Sequence, residues 1–342
     1  MNNYKRPESN VNSGFEGNIS TDGTITGMDT ECKAERYTRP AFVALSAVAC
    51  CLLWGSAFPC IKIGYGLLAI DGEDAISQIL FAGYRFTIAG IMVIVIGSIM
   101  QRRFLKPDRK SLPLAIKLGM VQTVLQYLFF YLGLAHTSGV RGSIITASNV
   151  FISIFLSALV FGEKLTVRKL AGCGIGFTGV VAINLGGGLG GAVSLNGEGF
   201  MLIAAGAAAL SSVLIKKYSE YDDTFTLCGY QFFIGGIILI AAGLAGGGHV
   251  SGFTPASISL LCYLGLVSSV AYSLWSLLLK HNPVGRVAVF GFSNPVFGVL
   301  LSAVLLGEKN QAFTLSGLAA LILVCIGITL AQTDGRNRRL TD

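Results

Sequence analysis

The sequence reads AGYRFTIAGIMVIVIG over residues 82–97 and CGYQFFIGGIILIAAG over residues 228–243, and the two align without gaps at 8 of 16 identical positions. The correspondence continues downstream. His136, Arg141, Ser148-Asn149, Ser157-Ala158, Gly162-Glu163-Lys164 and Gly172 recur 145 positions later as His281, Arg286, Ser293-Asn294, Ser302-Ala303, Gly307-Glu308-Lys309 and Gly317. Apolar residues match by chance in any hydrophobic chain, so the shared polar positions carry the argument. The second half of the chain repeats the first.

Composition gives the repeat its setting. Of 342 residues, 53% are hydrophobic and 13% charged, with a mean hydropathy of +0.68. Soluble domains carry about 25% charged residues. A spanning helix takes about 20 apolar residues, and ten apolar segments follow one another at 41–69, 79–100, 112–134, 143–161, 170–187, 199–215, 226–246, 256–279, 287–306 and 313–332. A soluble enzyme is excluded. The eight cysteines show no C-x-x-C spacing and read as small packing residues. The three histidines lie far apart in sequence, so no metal site and no cofactor are expected.

Residues 1–38 are polar, lack apolar periodicity and read as a disordered tail. Basic residues then set the orientation. Lys5, Arg6, Lys33, Arg36 and Arg39 precede the first segment, and Arg102, Arg103, Lys106, Arg109, Lys110 and Lys117 follow the second. Lys164, Arg168, Lys169, Lys216, Lys217, Lys280, Arg286, Arg336, Arg338 and Arg339 fall on the same side, against Arg141 and Lys309 on the other. The positive-inside rule places both termini in the cytoplasm. The net charge of +7 is therefore a topology signal, and no nucleic-acid partner is expected.

Five spans per repeat is an odd number, so the second copy enters the membrane from the opposite side. The expected fold is an all-α integral membrane protein of ten transmembrane helices in two inverted five-helix repeats. The first repeat covers 41–187, the second 199–332, and 333–342 form a cytoplasmic tail. Two similar halves in opposite orientation can exchange conformations and open a central cavity to either side, which points to a carrier.

Trp54-Gly55-Ser56-Ala57-Phe58-Pro59-Cys60-Ile61-Lys62 resembles the first-helix signature of the drug/metabolite transporter superfamily, EamA-type. So do the Gly-Glu-Lys endings at 162–164 and 307–309, each followed eight residues after the lysine by Gly172 or Gly317, and Asn294-Pro295 in the ninth segment. The first half carries Val150 where the family has a helix-breaking proline. The resemblance covers residues 41–332 and implies export of a small metabolite, with Pro59 and Pro295 as hinge or gate positions.

Ionisable groups inside a membrane are functional candidates by default. Lys62, near the far end of the first segment, is either a cation for a substrate carboxylate or phosphate, or a snorkelling lysine that Asp71, Glu73 and Asp74 could pair. Arg85 offers a fork suited to carboxylate, or else fixes helix packing. Gln122 and Gln126 share one helix face. Asn149 and Asn294 are repeat equivalents, and Tyr272 and Trp275 share a face of the eighth segment. Such groups must face protein or a hydrated cavity, and interhelical hydrogen bonding is their alternative role. Glu163 and Glu308 are expected to order the next loop or cap the following helix.

The expected function is export of an amino acid or related carboxylate by alternating access, with lipid bilayer and a small-molecule substrate as partners, in the cell membrane. A drug or cation exporter of the same fold is the alternative, disfavoured because no Asp or Glu lies in an apolar core. A membrane sensor or scaffold that binds without moving its ligand is the alternative of another class. A membrane enzyme is not expected, since no reactive constellation gathers on one face.

Overall fold

The computed structural model describes residues 37–162, 164–185, 194–218, 221, 223–282, 287 and 289–332. Most of the N-terminal tail, the C-terminal tail, Glu163, Arg286 and the glycine-rich stretch 186–193 lie outside them. Among the described residues the regular secondary structure is all helical. The helices are α1 (Pro40–Leu67), α2 (Ala75–Gln101), α3 (Ser111–Ala135), α4 (Gly139–Phe161), α5 (Val167–Leu185), α6 (Leu195–Tyr218), α7 (Thr224–Ala245), α8 (Pro255–His281), α9 (Phe290–Leu305) and α10 (Leu315–Gln332). Seven, α1 to α4 and α6 to α8, are long and apolar enough to cross a membrane. α5 opens on Arg168 and Lys169, and α9 and α10 are apolar but shorter.

Local chemistry sets the helix ends. The Asp74 carboxylate accepts the Ser77 N–H at 3.0 Å, Ser138 caps α4 and Asp223 caps α7 in the same way. Thr254 and Ser257 form a reciprocal cap on α8, and Pro40 and Pro255 occupy first-turn positions where a missing N–H costs nothing. Gly162 and Gly307, the glycines of the two Gly-Glu-Lys motifs, adopt φ of +66° and +71°, a conformation that favours glycine. The hydrogen bonds from Ser77 hold the Asp74 carboxyl below the usual carboxylate range. Its folded pKa is depressed, so its contribution is complete above the unfolded value and lost as pH falls. Asp74→Ala is expected to cost about 1 kcal/mol at pH 7. The gap in melting temperature from wild type should close below about pH 4.

Packing follows the repeat. α2 lies against α7 and α5 against α10; α1 contacts α8 and α9, while α6 contacts α3 and α4. Exchanging the halves of the chain maps the first two pairs onto themselves and the contacts of α1 onto those of α6. α2 and α7 run antiparallel: Gln101 near the end of one donates to Asp223 before the other, and His249 after α7 donates to Ser77 at the start of α2. Their crossing is too close for side chains. A Cβ on Gly90 would lie 2.4 Å from the Phe233 nitrogen, and one on Gly236 2.4 Å from that of Thr87. In lipid, where hydrophobic burial offers little, such small-residue contacts drive helix association.

The helices are not uniform. α3 contains a π-helical turn, Gly119–Leu125, a feature common at functional sites. α4 breaks at Ala147, and α9 changes from a 3₁₀ turn to α-helix at the equivalent Phe292. The break in α4 therefore needs no proline. Pro295 lies in the first turn of Ser293–Leu305, just past the joint, so the joint and not the proline is the irregular point. Pro59 is buried inside the continuous α1, where it frees the Gly55 carbonyl.

Candidate functional site

Lys62, His136, Thr137, Ser138, Arg141, Glu198 and Glu308 surround a cleft of about 430 Å³ at the end of the bundle opposite Tyr37 and His281. Two of its acids are already bound. Glu198, in the π-helical first turn of α6, accepts from the Ser194 N–H at 3.0 Å and from Arg141 and Thr137 at 3.3 Å. Glu308 accepts from the Gly139 and Val140 N–H groups at 3.1 and 2.9 Å. It thus caps α4 in the other half of the chain, not the short turn Lys309–Ala312 that follows it. A carboxylate at a helix N-terminus is favoured by the helix dipole. Glu163, its repeat equivalent, falls outside the described residues.

Lys62 makes no ion pair among the described residues, and the carboxylate that acts on it electrostatically is Glu308. The neighbouring acids do not neutralise it. Glu73 pairs with His136 at 3.6 Å, Asp71 accepts the Glu73 N–H, and Asp74 caps α2. Lys62 is thus a half-buried ammonium without an ion-pair partner among the described residues, beside open volume.

Arg85 has a different setting. It is 2% exposed, and its three nitrogens donate to the Leu264 carbonyl (3.3 Å), the Tyr131 hydroxyl (3.1 Å) and the Ser268 hydroxyl (3.0 Å). Its guanidinium also lies 5.0 Å from the centre of the Phe86 ring. The repeat explains the arrangement: Arg85 is equivalent to Gln231, and Ser268, by the 145-residue offset, to Thr123. The Thr123 hydroxyl donates to Gln231 Oε1 at 2.8 Å. Each half thus clamps the other at matching points, and the packing role of Arg85 is the one its contacts support.

Between the cleft and the opposite end lies an aromatic layer. Tyr272 and Trp275 of α8 flank Trp54 of α1, with ring centres 5.3 and 5.1 Å from it. The Tyr272 hydroxyl meets that of Tyr127 at 2.9 Å, the Gln126 side chain adjoins it, and Phe232 packs edge-on at 5.1 Å. On the helices that meet here, Trp54 Nε1, Gln122 Oε1, Gln126 Oε1 and Asn294 Oδ1 are buried and have no hydrogen-bond partner among the described residues. Asn149, by contrast, is half-buried on α4 with no polar contact that ties it to the layer. Trp54 and Glu198 were not singled out from sequence. Trp54 stands inside the first-helix signature, and Glu198 falls one residue before the apolar segment 199–215.

Beyond the aromatic layer the described residues pack an apolar cluster. Val43, Ala47, Leu278 and Val287 form a buried apolar cluster with Phe42, Trp275 and Phe290 around it. Tyr37, which the sequence reading left in the tail, stacks on His281 at 5.2 Å, and Asn282 donates to its carbonyl at 2.9 Å. Among the described residues no group of His, Cys, Asp and Glu could hold a metal.

Comparison with known proteins is consistent along the chain. The EamA-like transporter family matches residues 41–185 and 195–331. An uncharacterized transporter of Archaeoglobus fulgidus is 31% identical over 271 residues, 78% of this chain and 90% of its own length. A probable amino-acid metabolite efflux pump of Salmonella typhimurium is 27% identical over 321 residues, covering 88% and 97% of the two chains. Its Escherichia coli namesake is 26% identical over 300 residues, 82% of this chain and 91% of that one. A solved crystal structure superposes with a TM-score of 0.64 at 18% identity, covering 88% of this chain and 98% of the other, which shows the fold.

Proposed function

Since the chain belongs to the EamA-like transporter family, we propose that it exports a small organic metabolite, an amino acid or related carboxylate, by alternating access across the cell membrane. The observation that carries this reading is the bundle's asymmetry. One end holds an open charged cleft, the other a buried apolar cluster that we read as sealed, and a polar aromatic layer separates them. Efflux pumps for amino-acid metabolites among its relatives support the substrate class.

The ten helices act as two inverted five-helix repeats, 41–187 and 199–332, supported by the antiparallel α2–α7 pair and by helix contacts that survive exchange of the halves. Arg102, Arg103, Lys106, Lys216 and Lys217 lie at the sealed end, which is therefore cytoplasmic, with both termini. The cleft faces outward, and a carrier in this state is poised to release. Lys62 supplies the charge that meets a carboxylate there, while Gln122, Gln126, Tyr272 and Trp275 shape the pocket deeper in. Asn149 and Asn294 sit near the joints of α4 and α9, where the halves flex. A cation exporter would need a carboxylate at the aromatic layer, and among the described residues none stands there.

Counterflow in proteoliposomes tests this directly, with amino acids and other carboxylates, phosphorylated sugars and cationic dyes as loads. Exchange of one carboxylate class is expected, and Lys62→Ala should raise its KM roughly tenfold, the worth of one charge-assisted contact. Exchange that ignores the mutation would remove Lys62 from the path. Binding without exchange would favour a sensor.

A further inference from the structure

We propose that Trp54, with Gln122, Gln126 and Asn294, makes the aromatic layer a binding site selective for net-neutral zwitterions over acidic and basic ligands. The inference rests on the amino-acid reading above and narrows it.

It begins from polar atoms left over. A buried polar group without a hydrogen bond is costly, and each one in a native structure calls for an explanation. Among the described residues nine buried side-chain atoms lack a partner, and four of them, one donor and three acceptors, lie on α1, α3 and α9, the helices that meet at the aromatic layer. Trp54 Nε1 can only donate, so it asks for a carboxylate or carbonyl oxygen. Gln122 Oε1, Gln126 Oε1 and Asn294 Oδ1 ask for N–H or O–H groups. An ammonium offers three donors and no acceptor. The leftover set is the complement of one carboxylate and one ammonium.

The four lie in one neighbourhood. Gln122 and Gln126 are one turn apart on α3, 2% and 8% exposed, and Gln126 adjoins Tyr272, whose ring meets Trp54. Asn294 lies where α9 crosses α1. Cys51 donates to the Phe290 carbonyl at 3.4 Å, and a Cβ on Gly55 would meet Phe297 at 2.7 Å. Residues 51–55 therefore run beside 290–297, with Asn294 midway. The faces of Trp54, Trp275 and Tyr272 supply cation–π attraction for an ammonium.

Charge completes the selectivity. No acidic side chain among the described residues belongs to this layer, and the nearest fixed charge, Arg85, sits 5.7 Å from the centre of the Tyr127 ring. A net cation meets that positive field with nothing to neutralise it. A second carboxylate would be buried without a cation of its own, since the Arg85 nitrogens already bind protein. A zwitterion brings both charges and leaves none over.

The test is equilibrium binding of radiolabelled L-threonine and L-glutamine to the purified full chain in detergent, with L-glutamate and L-lysine as competitors. Trp54→Phe keeps an aromatic face but deletes the N–H together with part of the indole; Asn294→Leu keeps the approximate volume and deletes the amide. Each is expected to weaken binding of the neutral probes about tenfold or more, with melting temperatures near wild type, and the charged competitors should displace poorly. Unchanged affinity in both variants, or displacement by glutamate or lysine as effective as by the neutral amino acids, overturns the selectivity and leaves the carrier reading intact. Failure of wild type to bind any of the four while counterflow exchanges another carboxylate overturns the amino-acid reading, and this inference with it.

Discussion

Gly90→Leu should abolish the folded protein. A Cβ at residue 90 would stand 2.4 Å from the Phe233 nitrogen and 2.7 Å from its Cα. Both are backbone atoms, and neither can swing away as a side chain would. To admit a leucine, α2 and α7 must separate along a contact that also includes Gly83, Gly236 and Gly243. The two helices carry the Arg85 and Gln231 clamps, so separation would strain both. Overpacking a tight core costs roughly 1–3 kcal/mol even where side chains can adjust, and this site should exceed that range. The expected result is loss of the monodisperse peak in detergent size-exclusion chromatography. Leu at Gly206, where an added Cβ meets nothing within 4 Å, should leave the peak unchanged.

Glu198→Ala should have the second-largest effect. The carboxylate is 9% exposed and gathers three donors, the Ser194 N–H, the Thr137 hydroxyl and Arg141. Its removal strands a backbone donor and leaves Arg141, whose side chain is 30% exposed, beside the cleft without its counter-charge. Breaking a fully buried pair costs roughly 3–5 kcal/mol; partial solvation of Arg141 lowers this to about 2–3 kcal/mol. Thermal unfolding in detergent should show the drop, and Glu198→Gln, which still accepts from Ser194, should recover part of it. A melting temperature within a degree of wild type for Glu198→Ala would mean that water replaces the whole network.

The helical layout was legible because its signal is local. An apolar run such as 112–134 or 256–279 can be read from its own residues alone, and the helices Ser111–Ala135 and Pro255–His281 begin and end within two residues of them. What escaped were contacts between distant segments. Asp71, Glu73 and Asp74 lie close to Lys62 in sequence, yet Glu73 turns to His136, and the charge that acts on Lys62 comes from Glu308, nearly 250 residues away. Glu308 likewise caps a helix of the opposite half, which no spacing rule announces. For Arg85 the sequence leaves a carboxylate fork and a packing role open, because its partners Ser268, Tyr131 and the Leu264 carbonyl lie on other helices. The π-helical turn at Gly119–Leu125 and the break at Ala147 leave no residue signature, since neither needs proline.

The two ends of the bundle are expected to open in alternation. Single cysteines at Ala135, in the cleft, and at Phe42, in the sealed end, report on each end through an impermeant maleimide, with the wild-type thiols as background. In right-side-out vesicles Ala135→Cys should react from outside, and in inside-out vesicles Phe42→Cys should react slowly. A transported substrate should change the two rates in opposite directions. If both ends gain or lose reactivity together, or if neither responds to a substrate that counterflow shows to be exchanged, the alternating mechanism is wrong.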